Sequence, residues 1–384
     1  MNGEVPRAAE LVIIGGGAVG CSLAYHLAQN GRRPLVLERD VLGSGSTGRC
    51  AGGVRQQFST AINVLLGRRS IELLREFRDQ IGVDPGYRPI GYMLLASDHE
   101  HAAMLQVSVA KQQALGVESA LIDAAAAREL VPGLNLDDIQ AVSWCPTDGL
   151  AGPYEVTNGY AAAARRLGAT VVEGTTVLGI EVGGGRVTAV ETSSGRIATE
   201  SVIDCAGPQA HLVGSLAGVE VPVVPVRHQV FVTDGFDGQP PNAPMTIDLV
   251  STFYFHQEGA GLMMGMGDPH QPPGEDLSAD WDFLRVLGPV GERRLPALGR
   301  AAIRAAWAGL YEMTPDHQPL VGQVAELEGF WVACGFSGHG FMMAPSVGES
   351  LAQQMCGEKP RIDLSAFGPE RFDAGGVVPE LVVV

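Results

Sequence analysis

Lysine is almost missing from this chain. Of 384 residues only Lys111 and Lys359 are lysine, so nearly all positive charge is arginine. Cysteine is sparse and scattered (Cys21, Cys50, Cys145, Cys205, Cys334, Cys356), with no CxxC pair. That argues against a zinc site or an iron–sulfur cluster and fits reduced thiols in a cytoplasmic protein. No stretch approaches the ~20 apolar residues of a membrane helix. Residues 1–10 are polar and mixed, and the apolar run 11–14 ends in glycine, so no secretory signal is expected. Positive charge is in deficit overall: 26 Lys and Arg stand against 43 Asp and Glu, a net charge of −17. A nucleic-acid footprint would be basic, and so would a surface that docks on anionic lipid. Neither is expected. Internal repeats and low-complexity linkers are also lacking.

What is present is apolar residues at 46% and 51 glycines, in a length that suits one large or two smaller domains. The order at the start is informative. Leu11–Ile14 reads as a buried strand, Gly15-Gly16-Gly17-Ala18-Val19-Gly20 as a tight turn, and Cys21–Asn30 as a helix. Arg33–Leu37 is a second strand, closed by Glu38. Gly15 suits the turn, Gly17 the approach of backbone to a pyrophosphate, and Gly20 close helix–strand packing. The unpaired N–H groups and positive dipole end of the helix would face phosphates. Glu38 can accept from ribose hydroxyls, which favours a free 2′-hydroxyl. A bound dinucleotide is therefore expected.

Residues 43–58 (GSGSTGRCAGGVRQQF) are too rich in small residues for a core element and suit a loop pressed against a flat ligand. Helical periodicity covers 60–81, and helices are also expected over 98–116, 154–168, 278–288 and 343–356. Pro345 would then fall in a first helical turn, where it is tolerated. Strands are expected at 90–96, 171–172, 175–181, 186–192, 202–205 and 330–334. Longer strands at 221–234 and 244–268 suggest a separate sheet. The nucleotide fold thus looks discontinuous, with a substrate sheet inserted.

Four segments resemble one family in the family's order: the N-terminal fingerprint, the 43–58 loop, GLYEMTPDHQPLVG (309–322) and CGFSGHGFMMAPSVGE (334–349). The chain resembles the flavin-dependent amine and amino-acid oxidoreductases that include glycine oxidase, D-amino-acid oxidase, sarcosine oxidase and dimethylglycine dehydrogenase. It is most similar to the β subunits of dye-linked L-proline dehydrogenase and sarcosine oxidase. The resemblance implies an α/β fold with a Rossmann-type FAD-binding domain (1–88, 146–218 and 306–384). A mostly antiparallel substrate domain would comprise 89–145 and 219–305. It implies FAD held by Gly15, Gly17, Ala18, Val19 and Gly20 at the pyrophosphate, and by Glu38 and Arg39 at the adenosine. Ser44, Ser46, Thr47, Ala51 and Gly52 would close the second loop over it. Val177 would meet the adenine edge, with Cys205, Ala206, Gly207 and Gly309 nearby. Gly338, His339, Gly340, Phe341 and Met342 would pass beside the isoalloxazine, and the next helix would point its positive end at the negative charge that reduction leaves there.

Departures from the relatives matter as well. The position that carries a flavin-linking cysteine in monomeric sarcosine oxidases aligns with Gly309, and the linking histidine of dimethylglycine dehydrogenases aligns with Arg49. Non-covalent FAD is implied. Two lysines of the monomeric oxidases, one for oxygen and one for the substrate carboxylate, align with Met263 and Met342, which tilts the expectation toward a dehydrogenase. His228 and Tyr254 resemble active-site residues of the proline dehydrogenases, and Tyr311 an active-site tyrosine of sarcosine oxidase. Arg55 is the first choice for a carboxylate or flavin contact, with Arg227 as the fallback. His339 is expected to order its turn rather than act as a base. Met263, Met264, Met266, Met342 and Met343 would pack and give the pocket an apolar wall. Asp316 and His317 belong to a structural turn.

The expected function is dehydrogenation of the C–N bond of an amino acid or N-alkyl amino acid to an imine. Electrons would leave to a partner subunit, a quinone or dye-like acceptor, or oxygen. The alternatives are a hydrogen-peroxide-producing oxidase, a non-catalytic FAD-containing assembly protein, and, further off, a hydroxy-acid or glycerol-phosphate dehydrogenase.

Overall fold

The computed structural model describes residues 5–372, except 238 and 241, and residues 377–382. Residues 1–4, 373–376 and 383–384 of the expected FAD-binding segments, and 238 and 241 of the expected substrate segment, lie outside the described residues.

Period-two alternation in the first strand sets up the layers. Leu11 and Ile13 point to one side, Val12 and Ile14 to the other, and all four are buried. Such a strand must be covered on both faces. It sits inside a six-stranded sheet in the order Leu320–Gln323, Phe330–Cys334, Val202–Asp204, Leu11–Ile14, Pro34–Leu37, Thr170–Val172. All neighbours are parallel except the first pair. Helices Ala18–Gln29, Pro153–Arg166 and Gly340–Met355 pack on the Leu11/Ile13 face. A three-stranded antiparallel sheet (Val177–Gly183, Arg186–Thr192, Gly195–Ala198) covers the Val12/Ile14 face through Ile180, Val187, Val190 and Ile197.

The second large sheet has eight strands, in the order Ile303–Met313, Val224–Thr233, Gly261–Met266, Tyr254–Glu258, Met245–Asp248, Tyr92–Ala96, Ala141–Cys145, Ala120–Ile122. Only Met245–Asp248 and Tyr92–Ala96 run parallel. The expected strand over 244–268 is in fact three strands. The chain turns at Asp248–Thr252, where Asp248 Oδ1 accepts from the Val250 and Ser251 N–H groups and Thr252 takes a φ of +58°. It turns again at Gly259. Ile303–Met313 pairs along its length with Val224–Thr233, so this strand spans the 305/306 boundary expected between the two domains.

The last helix begins at Gly340 rather than 343, which places Pro345 beyond the first turn. A proline there leaves a helical carbonyl without its donor. Neighbouring helices pack on this turn through hydroxyls: Ser70 Oγ donates to Ser346 Oγ at 2.9 Å, and Ser22 Oγ to the Pro345 carbonyl at 3.5 Å. The helix expected over 278–288 is Leu284–Arg294, preceded by a short turn of helix at Trp281–Phe283.

Candidate functional site

A cavity of about 940 Å³ is lined by both large sheets and by the glycine-rich loops. Its volume is that of a pocket for a large ligand. From the nucleotide side come Gly15, Gly17, Ala18, Val19, Glu38, Arg39, Ser44, Ser46 and Thr47, with Val177 and Cys205–Gly207. From the other side come Arg55, Tyr92, His228, Val230, Met245, Ile247, Tyr254 and Gly309–Glu312. Ala51 and Gly52, and the turn Gly338–Met342, line it too.

The first glycine turn is shaped by contacts no side chain could share. Gly15 has a φ of +110°, and a Cβ there would lie 2.3 Å from the Cys205 carbonyl oxygen. Gly20 is the one expected ligand residue that does not reach the cavity. Its α-carbon instead presses on the turn, where a Cβ would sit 2.1 Å from the Gly15 carbonyl oxygen, so its part is packing. Gly17 caps the first helix without a side chain, and Thr47 Oγ1 accepts the Ala18 N–H at 3.1 Å. Glu38 is held by two N–H groups, Gly16 to Oε2 at 2.8 Å and Asp40 to Oε1 at 2.9 Å. Its lone pairs are not exhausted by these two bonds. Bare backbone, a helix N-terminus and a fixed carboxylate at the end of the second strand together fit a dinucleotide.

At the other side lies a cluster of rings and one guanidinium. The His228 and Tyr311 rings stack with centroids 3.6 Å apart and planes within 10°. Burial pushes the His228 imidazole down to about 4, so the ring is neutral at pH 7. Burial also pushes Tyr311 up to about 12, and Tyr92 and Tyr254 higher still, so all three phenols keep their protons. Small residues make room for them. A Cβ on Gly53, Gly265 or Gly338 would collide with Tyr92, Tyr254 or Tyr311.

Arg55 is only 2% exposed. Its NH1 donates to the Gln57 carbonyl at 3.1 Å, and its NH2 to the Val382 carbonyl at 2.6 Å. NH2 also lies 2.9 Å from His339 Nε2. Burial, then the nearby Arg55 charge, holds His339 well below the usual histidine range, so its neutral Nε2 accepts. The guanidinium packs 4.6 Å from the Phe58 ring centroid. Among the described residues Arg55 has no acidic partner within ion-pair distance.

Several expectations are corrected here. Arg227 does not line the cavity: its guanidinium turns to Asp276 Oδ2 (2.8 Å) and Gln271 Oε1 (3.0 Å), so it is neutralised elsewhere. Met263, Met264, Met266 and Met343 also stay out of the wall, because their strand and helix faces point into other cores; Met342 lines it, joined by Met245. Lys111 is bonded to the Ser59 carbonyl. Asp316 and His317 do form a turn: Asp316 is clamped by Arg371, and His317 takes a φ of +57°.

Three groups were not singled out beforehand. Tyr92 lies within the expected strand 90–96. Glu312 lies within the quoted 309–322 motif; it lines the cavity, and burial raises its carboxyl to about 7. Asp204, fully buried just behind, is raised to about 8, and its Oδ2 has no hydrogen-bond partner. An acid inside an otherwise apolar strand was the available signal for both. Among the described residues no group of His, Cys, Asp and Glu is arranged to hold a metal, and no helix is long and apolar enough to cross a membrane.

A sequence profile of the family described as FAD dependent oxidoreductase (DAO) matches residues 10–354. The chain belongs to this family. Other DAO-family likenesses span nearly all of it. The mitochondrial sarcosine dehydrogenase of Homo sapiens is 33% identical over 384 residues, covering 96% of this chain and 42% of that protein. The mitochondrial dimethylglycine dehydrogenase of Rattus norvegicus is 31% identical over 385 residues, covering 95% and 45%. The chain therefore spans less than half the length of these two relatives. The crystal structure of L-proline dehydrogenase from P. horikoshii superposes with a TM-score of 0.91 at 36% identity, covering 97% of this chain and 99% of that one. This DAO-family chain thus shares its fold with that L-proline dehydrogenase.

Proposed function

We propose that this chain binds FAD without a covalent link and dehydrogenates the C–N bond of an N-substituted amino acid. Sarcosine, dimethylglycine and L-proline, the molecules in the relatives' names, share an α-carboxylate beside a substituted amine. The observation that carries the reading is Arg55, a buried guanidinium in the cavity wall with no acidic partner among the described residues. A charge kept that far from water calls for an anion, and an α-carboxylate can accept from the Nε and Nη1 N–H groups that the bonds to Gln57, Val382 and His339 leave over.

The remaining residues suit the amine. Neutral His228 presents an acceptor nitrogen, and a substrate amine oriented by it reacts only when it carries a lone pair. Tyr254 and Tyr311 keep O–H donors at the same wall, and Val230, Met245 and Ile247 exclude water from it. FAD, when bound, would take up the two electrons and the hydrogen that leave the donor carbon, and the imine product hydrolyses in water.

A non-covalent link is supported by the attachment positions. Gly309 has no side chain, and a Cβ on it would lie 3.2 Å from that of Arg49. Arg49 donates to the Ala308 carbonyl at 3.1 Å. Cys50, the thiol beside them, is raised to about 11 by burial and is a poor nucleophile. Residues 1–88, 146–218 and 306–384 are proposed as the FAD-binding part, and 89–145 with 219–305 as the substrate part. Electrons are proposed to pass to a partner subunit or a quinone-like acceptor, because no lysine lines the cavity.

The test is anaerobic mixing of the FAD-loaded protein with L-proline, sarcosine, dimethylglycine, glycine and D-alanine while flavin absorbance is followed. Bleaching by an N-substituted member supports the reading. No bleaching by any of them refutes it in favour of an assembly role. Fast recovery of colour in air identifies an oxidase. Flavin that stays with acid-precipitated protein refutes the non-covalent link.

A further inference from the structure

Residues 377–382 are fastened to the body of the protein along their length. Gln318 Nε2 donates to the Val378 carbonyl at 3.2 Å, the Glu380 N–H to the Asp316 carbonyl at 3.3 Å, and the Leu381 N–H to Ser59 Oγ at 3.0 Å. Glu380, only 2% exposed, is the main clasp. Its Oε1 accepts from the N–H groups of Ser59 (2.7 Å) and Val382 (3.1 Å). Its Oε2 accepts from the Thr60 N–H (3.2 Å), Thr60 Oγ1 (3.0 Å) and Asn63 Nδ2 (2.8 Å). Helix Ala61–Ile81 begins here, and Thr60 at its start gives no side-chain cap. Glu380 therefore places a carboxylate at a helix start some 320 residues earlier in the chain, where it takes the Ser59 and Thr60 N–H groups.

Two residues on, Val382 is fully buried in the apolar cluster that also holds Tyr92, Met245, Ile247 and Tyr254, all of which line the cavity. Its carbonyl takes the shortest hydrogen bond that Arg55 makes. A guanidinium is a rigid planar fork, so fixing one edge fixes the direction of the donors on the others.

We propose that segment 377–382 is a positioning strap for substrate recognition. Glu380 clasps it, the Val382 carbonyl aims Arg55, and the Val382 side chain backs the wall that limits the substrate's size. The proposal rests on Arg55 as the carboxylate anchor. Without the strap, Arg55 would have to be ordered each time a substrate binds, which weakens binding more than it slows the chemistry.

The test uses the full FAD-loaded chain. Glu380→Gln sets an amide NH2 against N–H donors and opens the clasp, whereas Glu380→Asp keeps the charge. Hydrogen exchange at 377–382 reports release of the strap. Steady-state kinetics with the amine that bleaches the flavin separate KM from kcat, and acetate titrated against flavin absorbance reads carboxylate binding without turnover. For Glu380→Gln, KM and the acetate Kd are expected to rise roughly tenfold, the scale of re-ordering one long side chain. The rise in KM should exceed any fall in kcat, and Glu380→Asp should restore most of it. Faster exchange at 377–382 with KM and acetate Kd within twofold of the parent overturns the proposal. If Glu380→Gln does not fold, Val382→Gly decides: the preference for sarcosine over N-ethylglycine should shrink, and an unchanged preference overturns the proposal. Should no amine bleach the parent flavin, the proposed reaction fails, while exchange and acetate binding still judge the strap.

Discussion

Asp204→Asn offers a sharp test of the electrostatics behind the cavity. Asp204 ends a central strand, is fully buried, and uses Oδ1 to accept the Ala206 N–H at 2.9 Å. Its Oδ2 has no partner, and Glu312 lies close enough to repel it. Burial first, then that repulsion, raises it from 3.8 to about 8. The folded state therefore keeps a proton that the unfolded chain releases at lower pH. Stability from this group is fully present below pH 3.8 and is lost as pH rises to 8, at about 1.4 kcal/mol per pH unit. Between pH 5 and pH 8 the parent would lose about 4 kcal/mol through this residue alone. An asparagine keeps the acceptor for Ala206 and has nothing to ionise. Glu312 titrates in the same range and gains when its neighbour is neutral, so we expect at least half of that figure, about 2 kcal/mol, as the widening of the gap between variant and parent. The assay is thermal or urea unfolding of both proteins at pH 5, 6, 7 and 8, with FAD at one saturating concentration throughout. The variant should pull ahead of the parent by at least ~3 °C in Tm across that range. Parallel pH profiles would refute the reasoning and mean that Asp204 is ionised and satisfied in the folded protein.

Other predictions address the substrate end. Arg55→Met should raise KM for a carboxylate-bearing amine by about 10²–10³, the scale of losing one partner of a buried charge pair; a change under threefold would remove Arg55 from substrate binding. Gly338→Ala would force a Cβ to within 2.5 Å of the Tyr311 ring at a φ of +92°, so turnover should fall at least about tenfold through disturbance of the Tyr311–His228 stack. With His228 lowered to about 4, its protonation should not shape kcat/KM above pH 5. An inflection near pH 6.5 that vanishes in His228→Gln would contradict that assignment.

Much of the nucleotide side was legible because its signals are local. Gly15 takes a φ of +110° and Gly20 lies against the Gly15 carbonyl, both demands of the turn itself, and the strand and acid that follow lie within one supersecondary unit. Loop 43–58 was readable for the same reason, since its composition excludes a core element. Legibility failed where the decision is made by distant packing. Val226, Arg227 and His228 are neighbours in sequence, yet His228 faces the cavity and Arg227 meets Asp276 across an adjoining loop. The run 244–268 breaks its apolar stretches only briefly, at Asp248–Thr252 and at 256–259, and the turn at Thr252 depends on Asp248 folding back on its own backbone. The last helix starts at 340, three residues before the expected 343, and the hydroxyls that pack on its Pro345 turn, Ser22 and Ser70, come from two other helices. Glu380 could not be read at all from its place in the chain, since its partners are residues 59–63.

The order of strands in the six-stranded sheet has a consequence for biosynthesis. The first strand made, Leu11–Ile14, takes one neighbour from residues 34–37 and the other only from residues 202–204. The position beyond Val202–Asp204 waits in turn for residues 330–334. A ribosome adding about 5–20 residues per second leaves an apolar parallel edge open for many seconds. The dinucleotide cradle likewise lacks Cys205–Gly207 and Gly338–Met342 until most of the chain has emerged. Cofactor capture should therefore wait until residues 338–342 have left the ribosome. Flavin starvation should show itself as aggregation of newly made chains rather than as accumulation of a soluble empty protein.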